Sequence, residues 1–211
     1  MTIRNYIWDF DGMLFDTYPH TVAVFCEIMR QNGKPVDPQE AYDKFKVTMW
    51  HAFRYYGFTD EAEVQRFYAL ENDIDFPPVG RPFDGVPDVL REIVRRGGRS
   101  YLYTHRDKVA MEYLDRYGLT DLFSGFVTSE DDFPHKPAPD AILHIVKTYG
   151  LDPAETLMLG DRDIDIGSGV NAGIPTLLFD NENRYTDVGQ TYTCRTVGEI
   201  LDFVKAALPE E

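Results

Sequence analysis

The sequence predicts an α/β protein whose core is a doubly wound, Rossmann-like parallel sheet with an inserted all-helical cap domain. Two observations lead to this prediction. From Arg99 onward, short apolar segments alternate with segments of helical periodicity, which is typical of a parallel sheet covered by helices on both faces. Between the first apolar segment and Val86, a long stretch shows helical patterns and no convincing strand.

Five apolar segments that end at turn or polar residues are interpreted as strands buried on both faces, the pattern of parallel sheets. They cover residues 6–8, 100–103, 126–128, 156–159 and 176–179. Core helices are predicted where apolar residues recur at helical spacing, in three cases before a glycine that ends the helix. These helices cover residues 86–96, 109–117, 139–149 and 197–208.

The long stretch after the first strand is interpreted as the cap. Its helical patterns cover residues 18–31, 38–47, 49–56 and 60–72. Pro77-Pro78, Gly80 and Pro82 then form a stiff linker back to the core. The predicted domains are therefore residues 1–15 with 82–211 for the core and residues 16–81 for the cap.

Composition excludes several classes of protein. The 211 residues carry 36 Asp and Glu against 21 Lys and Arg, for a net charge of −15, so nucleic acids and anionic membranes are not expected partners. Cys26 and Cys194 have no metal-ligand spacing, and no apolar segment is long enough to span a bilayer. We expect a soluble, cytoplasmic protein, either a monomer or a homodimer.

Polar residues follow the predicted strands where chemistry is expected in such folds, outside the carboxyl ends of the sheet. In chain order they are an acid pair, a hydroxyl, a lysine and a second group of acids: Asp9, Asp11, Thr104, Lys136, Asp161 and Asp165. Each alone has a structural alternative, because short carboxylates and hydroxyls cap turns and helices and lysines are usually solvated. Their shared placement and order favour a phosphoryl-transfer site.

This arrangement resembles the haloacid dehalogenase superfamily, specifically its phosphoglycolate phosphatase-like members with a helical cap. Asp9-Phe10-Asp11-Gly12 is similar to the first family motif, Thr104 to the second, Lys136 to the third, and Gly160-Asp161 with Asp165 to the fourth. The resemblance covers nearly the whole chain. It implies an aspartyl-phosphate mechanism with catalytic roles for Asp9, Asp11, Thr104 and Lys136.

Elementary chemistry is consistent with these roles. An ionised Asp9 needs no base to attack phosphorus, but two unit charges about 4 Å apart repel by roughly 4 kcal/mol at an effective dielectric near 20. A cation must therefore lie between the carboxylate and the phosphate. The oxygens of Asp9 and Asp161 suit Mg²⁺, and the resemblance adds the main-chain carbonyl of Asp11 and an occasional or indirect role for Asp165.

Asp11 is expected to protonate the leaving alkoxide and then to take a proton from water. Carbon–halogen hydrolases of the superfamily usually lack an acid at this position, so Asp11 favours phosphate chemistry. Thr104 and Lys136 are expected to bind the phosphate. His105 is a further candidate for substrate binding, with a structural imidazole as the alternative, and Arg106 either contacts substrate or is a solvated charge.

The expected function is Mg²⁺-dependent hydrolysis of a small phosphorylated metabolite, a phosphate monoester. One alternative is a phosphomutase of the same fold, which returns the phosphoryl group to its substrate. Another is an inactive regulator that binds phosphorylated metabolites, although a pure binder has no use for a nucleophile paired with a proton donor.

Overall fold

The computed structural model describes residues 2–208. Residue 1 and residues 209–211, which belong to the predicted core range, lie outside the described residues. The chain divides into two compact units, one formed from Met1–Leu14 and Pro82–Glu211 and the other from Phe15–Arg81.

Strands and helices alternate along most of the described chain. The strands are β1 (Asn5–Trp8), β2 (Phe15–Asp16), β3 (Arg81–Pro82), β4 (Arg99–Tyr103), β5 (Phe123–Val127), β6 (Thr156–Gly160), β7 (Thr176–Phe179) and β8 (Tyr192–Cys194). The helices are α1 (Tyr18–Gln31), α2 (Pro38–Val47), α3 (Met49–Tyr55), α4 (Glu61–Glu71), α5 (Val86–Arg95), α6 (Val109–Arg116), α7 (Asp140–Tyr149), α8 (Asp163–Ala172) and α9 (Val197–Ala207).

The first unit is built on a parallel sheet of six strands in the order β5-β4-β1-β6-β7-β8. The central strand β1 is buried along its whole length, as are β6 and β7, because helices cover both faces of such a sheet. Chain order runs outward from β1 to β5 and then returns to β6, so the direction of the connections reverses beside β1. The predicted α/β, doubly wound fold is confirmed.

Amphipathic helices bury one side against this sheet. In α5, Val86, Val89, Leu90 and Ile93 are buried at helical spacing, and the helix begins after Gly85, whose φ of 91° is a left-handed conformation that glycine adopts at little cost. Burial of each such apolar side chain contributes about 1.5–3 kcal/mol, which exceeds the helix propensity differences of up to about 1 kcal/mol among residues other than proline.

The second unit is helical, with α1 to α4 packed around aromatic side chains. Phe25, Phe45, Phe53 and Phe67 are each at most 3% exposed and contact one another through stacked and edge-to-face rings. Such ring pairs add about 0.5–1.5 kcal/mol beyond area burial. His20 is also buried here, and its ring nitrogens lie within hydrogen-bonding distance of main-chain carbonyl oxygens, so its role in this unit is structural.

Four elements of the structure were not predicted from the sequence. Strand β8 was not predicted, because it is short and lies at a sheet edge, where Tyr192 is only partly buried and Thr193 is exposed. The short strands β2 and β3 pair with each other in a stretch that showed no convincing strand in sequence. Helix α8 has a mixed sequence with Gly167 and Gly169, which gave no amphipathic pattern.

Within residues 2–208, no helix combines the length and the apolar character needed to cross a membrane.

Candidate active site

The candidate site lies at the carboxyl ends of three adjacent strands. Asp9 follows β1, Thr104 follows β4 and Asp161 follows β6, and β1 lies between the other two strands. The Asp9 main-chain N–H donates to the Leu159 carbonyl at 2.9 Å, which continues the β1–β6 pairing up to the acid. The parallel sheet therefore brings residues far apart in sequence to one edge, at the point where the connections reverse direction.

Three carboxylates meet there in a buried cluster. One oxygen from each of Asp9, Asp161 and Asp165 lies within 4.8 Å of the others. The three residues are exposed by only 2%, 2% and 0%. The carboxylate of Asp11 forms an ion pair with Arg106, and the predicted binding of a metal by the Asp11 main-chain carbonyl stays a prediction.

Lys136 enters this cluster from the loop between β5 and α7. Its Nζ donates to Asp9 Oδ1, lies 2.8 Å from Asp165 Oδ1 and donates to the Tyr103 carbonyl at 3.0 Å. The lysine is 5% exposed, so its charge is directed at the two carboxylates rather than at solvent. Although burial opposes the charged ammonium, these carboxylates raise the pKa of Lys136 and keep it protonated.

The cluster carries an excess of negative charge. The Arg162 guanidinium adds a second cation, with Nε 3.8 Å from Asp161 Oδ1 and 3.9 Å from Asp165 Oδ2. Among the described residues, these three carboxylates and two cations sum to a net charge of −1. Burial, followed by the charge of Asp165, raises the pKa of Asp9 to about 7. Burial also works against the charged form of Asp165, but Lys136 and Arg162 hold its pKa below the ordinary value.

One carboxylate oxygen of Asp9 receives no hydrogen bond within residues 2–208. Oδ2 is buried and receives no hydrogen bond from the described residues, whereas Oδ1 accepts from Lys136. A buried, unsatisfied carboxylate oxygen is costly in a folded protein. Its position among three acids makes this oxygen a candidate ligand for a divalent cation.

Gly160 makes the approach of Asp165 possible. A Cβ added at Gly160 would lie 2.2 Å from Asp165 Cβ and 2.8 Å from Asp165 Oδ2, closer than real side chains come. The Asp165 carboxylate also accepts the Arg162 main-chain N–H at 3.1 Å, at the start of α8. The missing side chain at the end of β6 thus lets α8 place a carboxylate directly on the strand end.

Thr104 is buried with its hydroxyl already oriented. Oγ1 accepts the Arg106 main-chain N–H at 3.0 Å, as expected for a capping threonine, although α6 begins only at Val109. No hydrogen bond from this hydroxyl to another described residue is present. Because a hydroxyl is both donor and acceptor, Thr104 retains an O–H for a phosphoryl oxygen.

His105 contacts neighbouring residues through a ring nitrogen and through packing of its ring. Its Nε2 accepts the Lys136 main-chain N–H at 3.0 Å, and its ring packs edge-on against His135 at 4.5 Å. Burial and the charge of Lys136 lower the pKa of His105 to about 3, so the imidazole is neutral and can accept this bond. These contacts match the structural alternative for His105. The assignment to substrate binding stays a prediction.

Two features of the site were missed from sequence. Arg106 is 9% exposed and pairs with Asp11, so the solvated charge considered for it is wrong. The role of Arg162 was not predicted at all, although a cation inside the segment Gly160-Asp161-Arg162-Asp163 at a buried strand end is a usable signal. Both contacts depend on side-chain directions that residue spacing does not determine.

Comparison with known proteins relates this chain to a protein family. The model for haloacid dehalogenase-like hydrolases matches residues 6–179. The N-acetylmuramic acid 6-phosphate phosphatase of Pseudomonas aeruginosa is 28% identical over 83% of this chain and 81% of that protein. The pyrophosphatase PpaX of Halalkalibacterium halodurans is 24% identical over 97% of this chain and 98% of its own length.

A solved structure supports the same conclusion. A hydrolase from Streptococcus pneumoniae superposes with a TM-score of 0.64 at 31% identity, covering 85% of this chain and 94% of that one. The family match spans most of this chain and includes Asp9, Thr104, Lys136 and Asp161. The chain belongs to the haloacid dehalogenase-like hydrolase family.

Proposed function

We propose that this protein is an Mg²⁺-dependent phosphatase that hydrolyses a phosphate monoester of a small metabolite through a phosphorylated Asp9. The observation on which the proposal rests is the buried cluster of Asp9, Asp161, Asp165 and Lys136, with Thr104 beside it at the same sheet edge. The two relatives described above support it, since both are named for hydrolysis of phosphorylated compounds.

The cluster has the chemistry of a magnesium site. It offers hard carboxylate oxygens, a net negative charge and Oδ2 of Asp9, which accepts no hydrogen bond from the described part of the chain. Asp9 and Asp161 would hold the ion, with Asp165 nearby and, by family resemblance, the Asp11 carbonyl. When bound, Mg²⁺ would offset the negative charges of the Asp9 carboxylate and of the phosphoryl group.

In the first half of the reaction, an Asp9 carboxylate oxygen forms a bond to phosphorus while the bond from phosphorus to the leaving oxygen breaks. The protonated Asp11 carboxyl gives its proton to that leaving oxygen. The Thr104 hydroxyl donates to a phosphoryl oxygen, and Lys136 holds Asp9 in place while partly neutralising its charge. The products of this half are the free alcohol and an aspartyl-phosphate.

In the second half, Asp11 is a carboxylate and takes a proton from water as the water oxygen bonds to phosphorus. The bond between phosphorus and Asp9 breaks, which regenerates the Asp9 carboxylate and the protonated Asp11. Overall, one ester and one water give one alcohol and one inorganic phosphate. The Asp11 side chain is 27% exposed and can exchange its proton with solvent, whereas Asp9 is buried.

Metal removal tests the proposed function. We expect phosphate release from at least one member of a panel of sugar phosphates, small acid phosphates, pyrophosphate and p-nitrophenyl phosphate in the presence of Mg²⁺. Because a bound cation is worth several kcal/mol of transition-state stabilisation, EDTA should lower the rate at least about 100-fold, and added Mg²⁺ should restore it. Inorganic phosphate is measured directly.

Three results would contradict the proposal. No phosphate release from any ester with Mg²⁺ would favour an inactive binder, and isomerised substrate without free phosphate would indicate a phosphomutase. A rate unchanged by EDTA would exclude the role given to the metal.

The raised pKa of Asp9 predicts a pH-dependent response to Mg²⁺. The pKa of about 7 lies above the ordinary value of 3.8, so between these values the folded state binds more protons than the unfolded state. The contribution of Asp9 to stability therefore falls as pH rises through this window. Mg²⁺ must displace the proton, so its affinity falls below pH 7.

Thermal unfolding measures this effect. At pH 8 and about 100 times the dissociation constant, we expect Mg²⁺ to stabilise the fold by about 2.7 kcal/mol, which raises Tm by roughly 5–10 °C. At pH 5.5 the same Mg²⁺ concentration should give a clearly smaller shift. The Asp161→Asn variant should lose the shift at both pH values, and an equal shift at both in the unaltered protein would contradict the prediction.

A further inference from the structure

Arg106 holds a buried charge beside the proposed proton donor. It lies in the loop after β4, two residues beyond Thr104, and is 9% exposed. Its Nη2 donates to Asp11 Oδ1 at 2.8 Å and its Nε donates to the same oxygen at 3.2 Å. A guanidinium that gives two donors to one carboxylate oxygen fixes the direction of that carboxylate more firmly than a single contact does.

The guanidinium is itself held in place. Its carbon lies 5.8 Å from the centre of the Phe10 ring and 5.9 Å from that of Tyr113, within reach of cation–π attraction. The main chain of Arg106 is anchored at both ends, since its N–H donates to Thr104 Oγ1 and its carbonyl accepts the Ser129 N–H at 3.1 Å. The charge therefore occupies a defined position relative to β4.

The exposure of the two partners differs. The Arg106 side chain is 6% exposed and that of Asp11 is 27% exposed, so the acid faces outward from a buried support. Part of the Asp11 side chain is therefore accessible, whereas Arg106 is almost completely buried. This geometry suits a residue that acts through Asp11 rather than on the substrate.

We propose that Arg106 is a positioning residue that orients the Asp11 carboxyl for proton transfer, a role that rests on the proposed phosphatase function. Loss of this orientation affects the two halves of the reaction in different ways. Cleavage of an alkyl phosphate needs a proton on the strongly basic alkoxide, whereas p-nitrophenolate leaves without one. Breakdown of the aspartyl-phosphate needs Asp11 as a base whichever substrate was used.

The test compares an alkyl phosphate with p-nitrophenyl phosphate in the full-length Arg106→Gln variant. Since general acid–base catalysis contributes about 10²–10⁴-fold, we expect kcat/KM for the alkyl ester to fall by about 100-fold and that for the aryl ester by less than about threefold. The kcat for the aryl ester should also fall, and rapid mixing should show a burst of p-nitrophenol before slow turnover. Asp11→Asn should give a larger fall in kcat/KM for the alkyl ester than Arg106→Gln does, again with little effect on kcat/KM for the aryl ester.

Two further variants distinguish a loss of Asp11 orientation from general damage to the fold. Arg106→Lys keeps the charge but loses the two-donor geometry, so its alkyl-ester kcat/KM should lie between those of the unaltered protein and Arg106→Gln. Arg91→Gln removes an exposed arginine whose ion pair with Asp88 lies on the surface of α5. This control should leave kcat/KM unchanged for both esters.

Equal loss of kcat/KM for both esters in Arg106→Gln, or no loss for either, would overturn the positioning role and leave the phosphatase function intact. A burst already present in the unaltered protein at equal amplitude would also overturn it. Failure of the unaltered protein to release phosphate from either ester would instead overturn the proposed function together with this inference.

Discussion

Replacement of Asp9 by Asn is expected to abolish turnover while leaving the fold intact. Asn has nearly the same shape but no nucleophilic carboxylate, so no aspartyl-phosphate can form. Removal of the nucleophile from an enzyme that works through a covalent intermediate costs on the order of 10⁴-fold or more in kcat. Phosphate release with Mg²⁺ and the best ester of the panel measures the loss, and mass spectrometry of acid-quenched protein should show no phosphorylated species.

The stability of the Asp9→Asn protein is a second measurement, and it is not expected to fall with the activity. Asp9→Asn removes one negative charge from the cluster, so that two carboxylates remain beside the two cations Lys136 and Arg162 and the net charge becomes zero. Without Mg²⁺ at pH 8, the variant should therefore be at least as stable as the unaltered protein in urea unfolding. Asp88→Asn is a matched control, because its carboxylate is 75% exposed in the same unit, and it should alter neither activity nor stability by much. An Asp9→Asn protein that keeps more than a few per cent of the activity would falsify the nucleophile assignment.

The sequence allowed prediction of the fold wherever burial and periodicity agree. Strand β7 and helices α1 and α2 begin and end at the predicted residues, because buried β-sheet strands and amphipathic helices have distinct apolar patterns. Strand β8 lacked such a pattern, since only Cys194 of its three residues is buried. Helix α8 was not assigned a range, because Gly169 replaces an apolar side chain where the helix packs closely on Met158 and Thr176.

For the site, the sequence predicted where residues lie but not which side chains contact each other. Placement at strand ends is a property of the main chain, so the sequence indicated that Asp9, Thr104 and Asp161 would lie at one sheet edge. Hydrogen-bond partners depend on side-chain direction and loop shape, which no spacing encodes. For this reason the bond from the Lys136 N–H to His105 and the pair of Arg106 with Asp11 emerged only from the structure.

Replacement of Lys136 by Met is expected to destabilise the metal-free protein strongly. The ammonium lies between Asp9 and Asp165, both buried, and Met fills similar space without charge. Breaking a buried ion pair by removal of one partner typically costs about 3–5 kcal/mol, because the remaining charge is uncompensated. Urea unfolding in EDTA at pH 8 measures the loss. Lys147→Met, at an exposed position on α7, should change stability by less than about 0.5 kcal/mol.

The cause of that loss can be separated from lost packing by a second substitution. If uncompensated charge is responsible, Asp9→Asn in the Lys136→Met background restores the single excess charge of the unaltered cluster and should recover much of the stability. Mg²⁺ should likewise stabilise Lys136→Met by more than it stabilises the unaltered protein, since it then faces a more negative site. A double variant no more stable than Lys136→Met would show that the lysine stabilises the protein through its contacts alone. The charge balance from which the magnesium site is inferred would then lose its support, because the same excess of buried carboxylate is what makes a divalent cation the fitting occupant.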